Sequence, residues 1–175
     1  MDSALVRWMA LAYRAPLPAP ARLDVALGSG PDSVPFPPEV LQREQEDLLA
    51  LQDLGVRVLT LSDEDYPDRL RRQEDPPLLL HVAGRHDLLH EEGVRFIAGV
   101  RGQAGAELHE ALEAGSRAVV LLSKGMLRAR NELRGLRQAI EDGSIAVLSA
   151  EPPRAAWGPA RMQRCRALCR VLTEG

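Results

Sequence analysis

Aromatic side chains make up only 3% of this 175-residue sequence, which leaves little from which to build a surface that stacks on nucleic-acid bases. Cysteine is scarce as well, with Cys165 and Cys169 the whole complement. Four residues apart on a helix they share a face, where a disulfide is geometrically poor, and no further cysteine exists to complete a thiolate metal site. The pair fits reduced thiols in a cytoplasmic protein. Excess positive charge is also missing. Lys and Arg number 22 against 25 Asp and Glu, a formal charge of −3, so no overall basic field draws the chain onto a polyanion and any such contact must be local. No apolar run approaches the length of a membrane span. The N-terminal MDSALVRWMALAYR is broken by Arg7, Tyr13 and Arg14 and lacks the clean apolar core of a secretory signal.

Proline and glycine, by contrast, crowd the first forty residues: PLPAPA at 16–21, GSGPDS at 28–33 and PFPP at 35–38. These breaks predict an irregular helical segment over residues 1–40 ahead of a main domain at 41–175. From Pro38, PEVLQREQEDLLALQDLG has helical spacing and stops at Gly55. VRVLTLS predicts a strand from Val56 to Leu61 and LLLHVAG another from Leu78 to Gly84, with a short helical turn between Tyr66-Pro67 and Pro76-Pro77. A helix over 86–92, a strand over 94–99, a helix over 106–115, a strand from Arg117 to Ser123, a helix over 131–143, a strand over 145–150 and a basic helix over 160–175 follow. Strands alternating with helices predict a Rossmann-like α/β fold: a mostly parallel sheet with helices on both faces.

Gly99, Gly102 and Gly105 surround Arg101 where the strand at 94–99 hands over to a helix. Open α/β sheets bind ligands at such places. Glycines let the backbone approach an anion, the helix start offers unpaired N–H groups, and arginine adds a forked cation. The spacing departs from the dinucleotide pattern GxGxxG, so the glycines serve either a phosphate cradle or only a tight turn. Lys124, Gly125 and Arg128 follow the next apolar strand. They read as a phosphate contact or as a solvated rim. Arg164 and Arg166 alternate with apolar residues such as Leu168, Val171 and Leu172, as on an ordinary amphipathic helix. Trp157 reads as packing or interface rather than as a base-stacking ring.

Catalytic chemistry finds no foothold. Ser123 and Ser149 end apolar strands without a GxSxG elbow, His109 has no nucleophile beside it, and the acidic residues are spread along surface helices. His86 and His90 with Asp87 or Glu91 lack a further metal ligand at suitable spacing. No catalytic residue, metal or cofactor is expected.

The order of several short motifs resembles the DNA-processing protein A family (DprA, also called Smf). Tyr66-Pro67, Asp75-Pro76-Pro77 and Gly99-Val100-Arg101 stand where that family has a Tyr-Pro motif, an Asp-Pro-Pro strand and a Gly-Ser-Arg turn, with Val100 in place of the serine. His109, Ala111-Leu112, Gly115, Gly125-Met126, Asn131, Leu133, the LSAEPP stretch and Arg164-Cys165-Arg166 continue the likeness over roughly residues 45–175, and Leu127 replaces an aspartate. About forty residues of the family pattern, including its Ser-Gly/Gly-Ile-Asp loop, shrink here to GQAG. The chain resembles a shortened, diverged relative. The resemblance implies a non-catalytic single-stranded DNA-binding protein of DNA uptake and recombination, with a RecA-type recombinase as partner and a homodimer as assembly. Gly99, Arg101, Gly102, Gly105, Lys124, Gly125, Arg128, Arg164 and Arg166 would form its DNA or phosphate site. Two alternatives stay open. The same fold could hold a nucleotide or other small phosphate ligand at Gly99–Gly105, or the chain could be an interaction protein pairing with a full-length homologue.

Overall fold

The computed structural model describes residues 3–53, 56–98, 103–122 and 130–150. Its helices are α1 (Ser3–Arg14), α2 (Ala19–Leu27), α3 (Pro38–Asp53), α4 (Asp68–Arg71), α5 (Gln103–Glu113) and α6 (Arg130–Glu141), with 3-10 turns at Pro31–Ser33 and His86–Leu89. Its strands are β1 (Arg57–Thr60), β2 (Leu79–Gly84), β3 (Arg95–Ile97), β4 (Ala118–Leu122) and β5 (Ile145–Ser149). They form an open sheet in the order β1-β2-β5-β4-β3. Among the described residues no helix is long and apolar enough to cross a membrane.

The fold divides into two compact units, Met1–Asp53 with Val58–Leu80, and Leu54–Arg57 with His81–Gly175. In the first unit Val6, Trp8, Met9, Ala10 and Leu11 of α1 are buried, and α1 packs along α3. The arginines that interrupt the apolar run sit seven residues apart, close to two helical turns. Each meets a carboxylate: Arg7 Nε lies 3.2 Å from Asp32, and Arg14 Nε donates to Glu44 Oε1 at 2.6 Å. Glu44 is fully buried, and Arg14 supplies the counter-charge that a buried carboxylate calls for. Later in the same unit, β1 gives way to a loop in which Leu61 N–H donates to the Leu78 carbonyl at 3.0 Å.

In the second unit, β3, β4 and β5 are parallel, with Ile97 opposite Val120 and Val120 opposite Val147. The mostly parallel sheet expected from the alternating elements holds for these strands, whereas β2 runs antiparallel to β5, with His81 opposite Ser149. Because β3, β4 and β5 lie side by side in chain order, right-handed crossovers put both connecting helices on one face. Ala104, Leu108 and Ala111 of α5 and Leu136 and Ala139 of α6 accordingly share a core with Ile97, Ala118, Val120, Ile145 and Val147. The pleat turns Val119, Ala146 and Leu148 to the other face, and they too are buried, which explains why AVVLL and IAVLS are continuous apolar runs instead of alternating ones. Two glycines are required by their positive φ, and Gly84 by close approach to backbone as well. At Gly84, with φ +94°, a Cβ would come within 2.7 Å of the Ile145 carbonyl oxygen. At Gly143, with φ +71°, it would meet the Arg85 side chain at 2.8 Å.

The buried pair between α1 and α3 gives a direct test. Arg14→Ala strands the Glu44 carboxylate and is expected to cost about 3 kcal/mol in urea unfolding, while Arg14→Met combined with Glu44→Leu recovers most of the loss. A double variant as unstable as the single one would show that the ion pair itself, and not the stranded charge, supplies the stability.

Candidate functional site

Parallel strands that lie side by side end on the same edge of a sheet. The segments that follow β3, β4 and β5 therefore depart from one edge, after Ala98, Leu122 and Ala150. The first carries Gly99, Arg101 and Gly102, the second Lys124, Gly125 and Arg128, and the stretch after β5 carries Arg164 and Arg166. These eight residues lie outside the described ones, as do Ser123, Trp157, Cys165 and Cys169. The topology nevertheless fixes where their segments begin. Gly105 is the one residue of the expected site that is described, and it belongs to α5 instead of the turn before it. Ala104, Leu108 and Ala111 are spaced by four and three residues and all buried, so core packing draws the helix start upstream past the glycine.

The opposite edge, where these strands begin, is neutralised by its own carboxylates. Arg85, just after β2, holds Asp87 through Nε at 2.9 and 3.2 Å and through Nη2 at 2.5 Å, and reaches Glu91 at 3.7 Å. Glu91 also accepts a hydrogen bond from Arg117, immediately before β4. Arg95, the first residue of β3, lies 3.2 Å from Glu110 of α5. The hydrogen bonds from Arg85 hold the Asp87 carboxyl below its ordinary pKa, and those to Asp87 raise that of Arg85. These are exposed pairs worth little stability. Their consequence is electrostatic. Asp87 and Glu91, the carboxylates that could have joined His86 and His90 around a metal, are engaged by arginines, and His86 sits in a 3-10 turn, where residues four apart do not share a face. His109 lies 3.3 Å from Glu113 one turn further along α5, on the exposed side.

Two buried side chains organise the strand ends: His81, which the sequence reading did not single out, and Tyr66 of the Tyr-Pro motif. His81 is 6% exposed, and its Nδ1 lies 3.1 Å from the Ser149 carbonyl oxygen, to which it donates as the Nδ1–H tautomer. Burial pushes its pKa down to about 4. The signal was there in LLLHVAG, where a lone histidine interrupts an apolar run. In the other unit, the Tyr66 hydroxyl donates to the Pro77 carbonyl at 2.7 Å, joining the Tyr-Pro and Asp-Pro-Pro stretches across eleven residues. Burial raises the pKa of this hydroxyl. The Arg71 guanidinium lies 5.7 Å from the ring centroid and donates to the carbonyls of Asp63, at 2.5 Å, and Tyr66, at 3.3 Å. These contacts give both motifs a structural role: they fix the loop between β1 and β2.

No protein-family model matches the chain, and no curated protein matches it. Among solved structures the chain is similar to the X-ray structure of DNA processing protein A (DprA) from Streptococcus pneumoniae, at 16% identity, over 100% of this chain and 71% of that one, with a TM-score of 0.37. So low a TM-score does not establish a common fold, and the α/β assignment rests on the sheet order and registers above.

Unfolding measurements test both buried residues. The His81 ring takes up a proton near pH 6.5 when unfolded and only near 4 when folded. Its contribution is therefore fully present above pH 6.5 and is lost as pH falls from 6.5 to 4, by about 3 kcal/mol. His81→Gln should flatten the pH dependence in that window, and an unaltered profile would contradict this assignment. Tyr66→Phe removes the bond to Pro77 and is expected to lower stability by about 1 kcal/mol. No loss would mean that the hydroxyl does not tie the two motifs together.

Proposed function

We propose that the chain binds single-stranded DNA through its backbone phosphates, at the edge where β3, β4 and β5 end, and catalyses no reaction. The observation that carries this reading is the contrast between the two edges. The connections GVRG (99–102) and SKGMLRA (123–129) contain Arg101, Lys124 and Arg128 and no Asp or Glu, while Arg85, Arg117 and Arg95 at the opposite edge are each matched to a carboxylate. A chain with a formal charge of −3 can attract a polyanion only through local cations, and these two connections carry cations with no acidic residue among them, whereas the stretch after β5 opens with Glu151. Glycines beside Arg101 allow close approach of a phosphate, and the start of α5 adds N–H donors. Few aromatics favour tracking of phosphates over stacking of bases.

The preference for single strands, a role in DNA uptake or recombination beside a RecA-type recombinase, and association as a homodimer belong to the same proposal and are supported by the order of the DprA-like motifs. Arg164 and Arg166, in the stretch that follows β5, would extend the phosphate path. The loop that the family pattern carries between the Gly-Ser-Arg turn and the next helix is contracted here to GQAG, so the connections after β3 and β4 would carry the binding.

Fluorescence anisotropy of a labelled single-stranded oligonucleotide over a salt series, with duplex DNA and nucleotides as competitors, tests the proposal. Arg101→Ala and the pair Lys124→Ala/Arg128→Ala should weaken binding and flatten the slope of log affinity against log salt by about 0.7 per lost contact. Arg85→Ala, at the opposite edge, should leave both unchanged. Equal loss from either edge, or no effect of Arg101→Ala, would overturn the assignment. Displacement of DNA by free nucleotide but not by duplex would show that the edge is a small-ligand site.

A further inference from the structure

We draw no further inference here: the strongest candidate, the surface of the first unit where α2 has no buried residue and Leu27 and Leu49 are 67% and 51% exposed, carries nothing because nothing in the structure shows what covers it.

Discussion

A pair of adjacent parallel strands cannot be joined by a tight turn, so each passage from β3 to β4 and from β4 to β5 must run through a helix laid on the sheet. Everything in the second unit depends on that constraint. It aligns the ends of three strands and puts α5 and α6 on one face. It also buries Ala118, Val120, Ile145 and Val147 beneath those helices while Val119, Ala146 and Leu148 are buried on the other side. A sheet covered on both faces presents functional groups only from its two edges. One edge is occupied by the Arg85, Asp87, Glu91 and Arg117 network. At the other, β3, β4 and β5 give way to residues outside the described ones.

The first unit obeys a different constraint. Burying Glu44 between α1 and α3 is costly unless a cation comes with it, and Arg14, at the last position of α1, supplies one. The same placement sets a positive charge at the end of the helix where the backbone dipole is negative. The loop that follows β1 is built around Tyr66. Its ring lies under Arg71 and its hydroxyl reaches past α4 to Pro77. Motifs that look functional in the sequence thus hold a loop in shape, and their role is legible from bonds alone.

Much of the strand and helix order could be read from the residues because it is written in local patterns. AVVLL, IAVLS and LLLHVAG are apolar runs bounded by glycine or polar residues, and β4, β5 and β2 fall within a residue or two of the limits they suggest. What escaped notice depends on partners distant in the chain. The arginines of α1 look like interruptions until Asp32 and Glu44 are seen beside them, the latter thirty residues away. The antiparallel direction of β2 against β5 is invisible because pairing direction leaves no local trace in an apolar run. Gly105 suggested a turn, and only the burial of Ala104 shows that the helix had already begun. For the candidate site, the residue types are legible in the sequence, whereas the pairing of Arg85 and Arg117 with Glu91 is not, since neither arginine lies near it in a pattern that sequence spacing could reveal.

Hydrogen exchange measured by mass spectrometry on the full chain, with and without single-stranded DNA, tests the central claim that one edge of the sheet does the binding. Binding at that edge slows exchange in peptides covering residues 98–106 and 122–130 and leaves residues 85–94 and 142–145 unchanged. Protection confined to the second set, or to neither, would contradict it.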